Sequence, residues 1–156
     1  MLRLIPAPLY RMLLKIAHRL RHHVRKWRGV TGEGVSVIAR NGQGEILLVR
    51  HSYGPAGWYL PGGGIGWNEA PDAAAQRELR EETGLASQEL TLVGAIEEEL
   101  SGAPHRAHVF NALVQGEPRA DGREVVEARF FAPDALPQDL TSRSRTRLAI
   151  WRGRTD

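Results

Sequence analysis

Apolar and polar residues alternate along much of this chain, and the period of the alternation changes from segment to segment. Val35, Val37 and Ala39 alternate with Ser36, Ile38 and Arg40, and Asn41-Gly42-Gln43-Gly44 then supplies turn chemistry ahead of Glu45-Ile46-Leu47-Leu48-Val49. This order predicts a β-hairpin leading toward a short strand at Trp58-Tyr59-Leu60, which Pro61 and the glycines Gly62, Gly63 and Gly64 end in a turn. Residues 89–99 and 105–115 read as two more strands joined by a turn at Ser101-Gly102-Ala103-Pro104, and Val125 to Phe131 as another. Between these the pattern is helical. Asn68 is placed to cap a helix from about Glu69 to Thr83, with Pro71 tolerated in the first turn, Asp72 near the positive end and Gly84 as terminator. Ala70, Ala73, Ala74 and Leu79 give that helix a small, aliphatic surface for packing on a sheet. Pro133 to Leu136 reads as a helical turn and Leu140 to Trp151 as a closing helix. The order predicts an α/β domain, a mixed sheet with a helix packed on it.

A further helical pattern precedes the domain. Leu9, Met12, Leu13, Ile16, Leu20, Val24 and Trp27 recur at helical spacing, with Arg11, Lys15, Arg19, Arg21, Arg25 and Lys26 around them. Residues 1–28 hold eight Lys or Arg and no acid, which leaves thirteen basic against eighteen acidic residues, a net −5, in 29–156. The overall +3 therefore conceals a basic amphipathic leader helix at 1–28 and an acidic domain at 29–156. Three uses of the leader compete: docking on its own domain or on the partner of a homodimer, lying on an anionic membrane surface, and touching nucleic acid, which ranks last. Its acid-free, Arg-rich composition also resembles an organelle transit peptide.

With 156 residues and 42% hydrophobic content, the chain suits one soluble globular domain. The absence of cysteine excludes disulfides, thiolate zinc sites and a thiol nucleophile, and fits a cytoplasmic protein, peripheral to the membrane if the leader binds there. No apolar run approaches the roughly 20 residues of a membrane-spanning helix.

Candidate chemistry concentrates in the central helix. Glu78, Glu81 and Glu82 stand at i, i+3 and i+4, within roughly a 100° arc of one face. Like charges so placed repel, and a hard divalent cation with oxygen ligands, above all Mg²⁺, is a direct compensation. A Glu-rich face alone is ordinarily a solvated one, but here the surroundings are also constrained. Gly63 is followed after five residues by Glu69, after seven more by Arg77, Glu78 and Leu79, then by Glu81, Glu82, Gly84 and Leu85. This matches G-x5-E-x7-R-E-U-x-E-E-x-G-U, with U aliphatic, and so resembles the signature of the Nudix hydrolases at every defined position. Looser matching extends over residues 32–140.

The resemblance implies an α/β/α sandwich, the Nudix fold, and cleavage of a pyrophosphate linkage in a nucleoside diphosphate joined to a further group. It implies Mg²⁺, with Mn²⁺ as a substitute, held by Glu78, Glu81, Glu82 and the Gly62 carbonyl, and base catalysis from among these glutamates. Glu69, Arg77 and Gly84 take structural parts: an Arg eight residues after a Glu can reach back and hold the helix start. Family members often draw a further carboxylate from outside the motif, for which Glu97, Glu98, Glu99, Glu124 and Glu127 are candidates. Glu127 is preferred, because Glu127 to Pro137 resembles the segment after the family's late strand, and Glu98 comes second. Arg50 and His51 at a strand exit, Trp58 and the Gly63 turn are candidate substrate contacts. Tyr59, Trp67 and Phe110 are further aromatic rings that can stack on a base. The proline or tyrosine that marks some subtypes is absent from positions 100–103, with Pro104 just beyond, so the nucleotide derivative stays open. Alternatives are a noncatalytic nucleotide-sensing module and a pyrophosphohydrolase of RNA 5′ ends.

Overall fold

The computed structural model describes residues 6–14 and 32–155. A short helix, α1, runs over 7–14. The rest is arranged as β1 (Gly32–Arg40), β2 (Ile46–His51), β3 (Gly62–Gly64), α2 (Pro71–Thr83), β4 (Ser87–Leu100), β5 (Ala103–Val114), β6 (Val125–Phe131) and α3 (Ser142–Thr155). One sheet has the order β4-β5-β1-β2-β6, with β3 also paired to β1. The β1–β5 pair is parallel and the others are antiparallel, so the sheet is mixed as expected.

Alternation along the strands divides the core in two. Val35, Val37, Ala39, Leu47, Phe110 and Ala112 pack beneath Ala74, Ala75 and Leu79 of α2. Ile38, Ile46, Leu48 and Val109 face the other way, with Trp58, Leu60 and Leu148 of α3. The result is the α/β/α sandwich.

The hairpin of β1 and β2 departs from expectation in a way that builds the site. The two strands pair at Arg40 and Ile46, and residues 58–64 then enter between them. Val37 N–H donates to the Pro61 carbonyl at 2.8 Å, Val49 and Tyr59 exchange two bonds of 2.9 Å, and Gly62–Gly64 pair with Gly34–Ser36. Strand and turn have thus changed places. Trp58 and Tyr59 form only isolated bridges, to Leu140 and Val49, and the glycines make the strand. Glycine is required because the backbones nearly touch: a Cβ on Gly62 would fall on the Val35 carbonyl oxygen.

Other boundaries shift for local reasons. Helix α2 begins at Pro71 with Ala70 as its cap and no side-chain capping bond. The residue before a proline is pushed toward extended backbone, and Ala70 lies there, at φ −72° and ψ 147°. Asn68, expected as the cap, is a left-handed turn residue with φ 55°. Gly84 ends the helix as expected, at φ 72°, its N–H donating to the Arg80 carbonyl at 2.9 Å. The β4–β5 turn uses only Ser101 and Gly102, both at positive φ, so Ala103 and Pro104 join β5. Helix α3 starts at Ser142, because Leu140 is drawn into the bridge with Trp58.

Helix α1 docks on the domain. Tyr10 Oη donates to Glu124 Oε1 at 3.2 Å, Arg11 Nη2 donates to the Gly122 carbonyl, and the Arg123 guanidinium lies 5.5 Å from the centre of the Tyr10 ring. Leu9, Met12 and Leu13 are exposed on this helix. The remainder of the helix expected over 1–28 lies outside the described residues. Among the described residues, no helix is long and apolar enough to cross a membrane.

Candidate active site

Arg77 organises the start of the acidic helix. Its Nε donates to Glu69 Oε1 at 2.6 Å and its Nη2 to Glu69 Oε2 at 3.0 Å, a two-pronged pairing that folds the loop back onto α2. Nη2 also donates to the Gly64 carbonyl at 3.0 Å, and the Gly66 N–H donates to Glu69 Oε2 at 2.7 Å. The spacing of eight residues places Glu69 and Arg77 together, as the sequence suggests.

The Arg77 bonds, helped by the Gly66 N–H, hold the Glu69 carboxyl down to about 2 from an ordinary 4.5. A carboxyl depressed on folding stabilises the folded state fully above its unfolded value and loses that contribution as pH falls. Urea unfolding followed from pH 5 to pH 2 is therefore expected to show acid destabilisation between about 4.5 and 2 that Glu69→Gln lacks. Parallel curves for the two proteins would remove Glu69 as the responsible group.

The three glutamates of the helix face do not share one environment. Glu81 is the exposed one, its side chain 59% accessible, with Arg77 Nη1 at 3.3 Å. Glu78 is 13% accessible and accepts from Arg77 Nη1 at 2.8 Å, and Glu82 is 5% accessible. A solvent-facing acidic surface, as the helix pattern suggests, is therefore correct only for Glu81. Glu82 turns under the glycine strand, where the Gly62 N–H donates to its Oε2 at 3.0 Å and His51 Nε2 stands 3.8 Å from its Oε1. Gly63 leaves room for Glu78: a Cβ there would lie 2.5 Å from Glu78 Oε1 and 2.6 Å from its Cδ.

Burial is the largest influence on both inner carboxyls and pushes them up, Glu82 well above the ordinary range. Arg77 opposes the shift at Glu78 and the Gly62 N–H opposes it at Glu82, while neighbouring carboxylates add to it. His51 supplies little compensating charge, since burial lowers its own pKa. The helix thus carries a buried carboxylate pair that a cation would favour.

The surrounding candidates sort clearly. His51 is brought to Glu82, with its ring against those of Tyr53 and Tyr59 at centroid separations of 5.5 and 5.0 Å. Trp58, 2% exposed, is a core residue and offers no face to a substrate. It packs edge-on against Phe131 at 4.8 Å beneath the guanidinium of Arg50. Phe110 is likewise buried, whereas Trp67 is 95% exposed on the loop before α2. Arg50 spends its charge on Asp139 at 2.9 Å and Glu127 at 3.8 Å, besides covering Trp58. Glu127 is thereby placed opposite Arg50 across the β2–β6 ladder. Glu98 joins Arg147 at 2.7 Å and His105 at 3.2 Å.

Two carboxylates from outside the helix, Glu124 and Asp121, come beside its acidic face, and with Tyr10 and Arg123 they line a cavity of about 340 Å³ that also exposes Glu81 and Glu82. The sequence carries no local signal for Asp121 or Tyr10 at this cavity, because the residues that line it lie far apart in the chain.

A glycine strand over a buried glutamate, an arginine clip and an acidic helix face are what the signature from Gly63 to Leu85 encodes in space. A family model described as the NUDIX domain matches residues 30–149. The chain belongs to the Nudix hydrolase family. A MutT Nudix hydrolase structure from Burkholderia pseudomallei is 32% identical and superposes with a TM-score of 0.69 over 77% of this chain and 97% of that one. An RNA pyrophosphohydrolase of Cellvibrio japonicus is 38% identical over 80 residues, 51% of this chain and 47% of that protein. Diphosphoinositol polyphosphate phosphohydrolase 3-alpha of Mus musculus is 42% identical over 66 residues, 42% of this chain and 40% of that protein. The chain thus spans about half or less of the length of these two relatives.

Nudix hydrolases are typically dependent on a divalent metal. In this member, no group of three or more carboxylate or imidazole side chains stands at metal-binding separations among the described residues. Arg77 takes up an oxygen each of Glu78 and Glu81. The donor chemistry nevertheless fits Mg²⁺ or Mn²⁺: the side chains are hard oxygen ligands, one of them buried without a full positive partner among the described residues. Glu81, exposed and held by one 3.3 Å contact, is the member able to turn toward Glu82.

Proposed function

We propose that this Nudix hydrolase is a metal-dependent pyrophosphohydrolase that cleaves the diphosphate bridge of a nucleoside diphosphate joined to another group. The observation that carries the reading is the burial of Glu82 beneath the glycine strand, beside Glu78 and Glu81. A diphosphate would be repelled by such a face unless cations lay between them. Glu78, Glu81 and Glu82 would hold Mg²⁺ or Mn²⁺, with the Gly62 carbonyl as a further candidate ligand. When bound, the metal neutralises the diphosphate and lowers the pKa of a water. Glu81, on the exposed side, is the carboxylate placed to meet that water, and Glu124, rather than Glu127, supplies the carboxylate from outside the motif. Arg77 and Glu69 keep the helix start and the glycine strand in register with one another.

The names of the relatives support the diphosphate as the recognised unit, because one acts on RNA and the other on a diphosphoinositol polyphosphate. A noncatalytic sensor is disfavoured by the complete carboxylate set. The test is a panel of nucleoside triphosphates, nucleotide sugars, ADP-ribose and 5′-triphosphorylated RNA, each with Mg²⁺ or Mn²⁺, scoring phosphate, diphosphate and nucleoside monophosphate release. Turnover of a small nucleotide derivative, abolished by EDTA, is expected. Turnover of RNA alone would move the substrate class, and no turnover of any member with either metal would defeat the reading.

A further inference from the structure

Helix α1 reaches the acidic cleft through a single side chain. Tyr10 Oη donates to Glu124 Oε1 at 3.2 Å, across 114 positions of sequence, and the ring lines the same cavity as Glu81 and Glu82. The loop that carries Glu124 has its own supports. Asp121 Oδ1 accepts from the Arg123 and Val125 N–H groups at 2.8 and 3.0 Å. Ser52 N–H donates to the Glu124 carbonyl at 2.9 Å, and Ser52 Oγ donates to the Arg123 carbonyl at 2.5 Å. The backbone at Glu124 is therefore fixed by the end of β2 and by an Asx turn. What those bonds leave undetermined is the direction of the Glu124 side chain, and the tyrosine hydroxyl acts there.

We propose that α1 is a wall of the carboxylate cleft and that Tyr10 is a positioning residue, holding the Glu124 carboxylate toward Glu81 and Glu82. The inference rests on the metal-dependent reading above. A carboxylate facing two others is repelled and turns toward solvent unless something retains it. Tyr10 is a neutral donor and retains the carboxylate without neutralising it, while Arg123, the cation lining the same cavity, has its guanidinium over the Tyr10 ring. The Arg123 guanidinium against the ring and the Arg11 bond to the Gly122 carbonyl bring the helix close enough for the hydroxyl to reach.

The experiment is a double-mutant cycle in the full-length chain, Tyr10→Phe, Glu124→Gln and the pair, read by steady-state kinetics and by calorimetric Mn²⁺ titration. Tyr10→Phe is expected to lower kcat about tenfold with KM for the nucleotide within about twofold, and to weaken Mn²⁺ binding about tenfold, the lower end of the loss ascribed to groups that orient metal ligands. Melting temperature should stay within about 1 °C, because the ring is kept. In the Glu124→Gln background, Tyr10→Phe should have no further effect on either readout. Wild-type values for Tyr10→Phe, or losses that simply multiply in the double variant, would overturn the proposal. An inactive wild type that still binds Mn²⁺ more tightly than Tyr10→Phe would sink the pyrophosphohydrolase reading and leave the positioning role standing.

Discussion

Glu82→Gln is expected to lower kcat/KM by at least about 10³-fold, equivalent to about 4 kcal/mol of transition-state stabilisation, without loosening the fold. The two halves of this outcome have one cause. Glu82 is buried, and burial strongly disfavours its ionised form. A glutamine offers the same shape, and its carbonyl can still accept the bond from the Gly62 N–H. The neutral amide is therefore no worse a core residue than the carboxyl, and in EDTA the variant should melt at or above the wild-type temperature. What it lacks is the charge that a cation would compensate. Saturating Mg²⁺ should raise the melting temperature of the wild type, since a ligand bound only by the folded state adds RT ln(1 + [L]/Kd), and should leave that of Glu82→Gln nearly unmoved. Equal metal-induced shifts in the two proteins would show that the cation is held elsewhere. Exposed Glu81 serves as the contrast: Glu81→Gln should match the kinetic loss while keeping part of the thermal shift.

A contact in this fold is legible in the sequence where its partners are local. Glu69 and Arg77 are eight residues apart with a loop and a helical turn between them, and their pairing is legible from spacing alone. So is Gly84 as the end of the helix. The two-faced sheet is legible as well, because Val35, Val37 and Ala39 alternate with Ile38 in the only way that fills two cores. The burial of Glu82 is not, since helical periodicity sets Glu81 and Glu82 at opposite edges of a roughly 100° arc around Glu78 without saying which edge is covered. Its depth is decided by a strand twenty residues earlier in the chain, passing overhead. Trp58 shows the opposite limit: an aromatic ring beside a glycine turn suits both stacking and packing, and only the arrival of Phe131 and Arg50 from distant segments makes it core. Glu124 and Glu127 are both acidic and three residues apart on or beside one strand. The register of β2 against β6, with its irregularity between Arg50 and His51, sends Glu127 toward Arg50, and no local pattern announces that choice.

Two adjacent glycines should separate the stability of this site from its chemistry. Gly62→Ala would set its Cβ onto the Val35 carbonyl and 3.0 Å from the Ser36 Cα, both of them backbone atoms of a central strand that cannot step aside. Relief requires β3 to part from β1, which overpacking data put at a cost of about 3 kcal/mol. A melting temperature lowered by about 10 °C is expected for a domain of this size. Gly63→Ala meets something different, the far end of the Glu78 side chain, with contacts of 2.5 to 2.9 Å to its carboxyl atoms. That end can rotate away, so the fold should survive with its melting temperature lowered by only about 2 °C, since the equivalent loss is a fraction of a kcal/mol. The displaced carboxyl, however, leaves both Arg77 and the side of α2 proposed to hold the metal, and kcat should fall about 10²-fold, as expected when a preorganised charged group is misplaced. Differential scanning calorimetry and steady-state kinetics on the two variants check this directly. If Gly63→Ala proved as unstable as Gly62→Ala, Glu78 would be a rigid part of the core, and stability and chemistry would not separate at these two glycines.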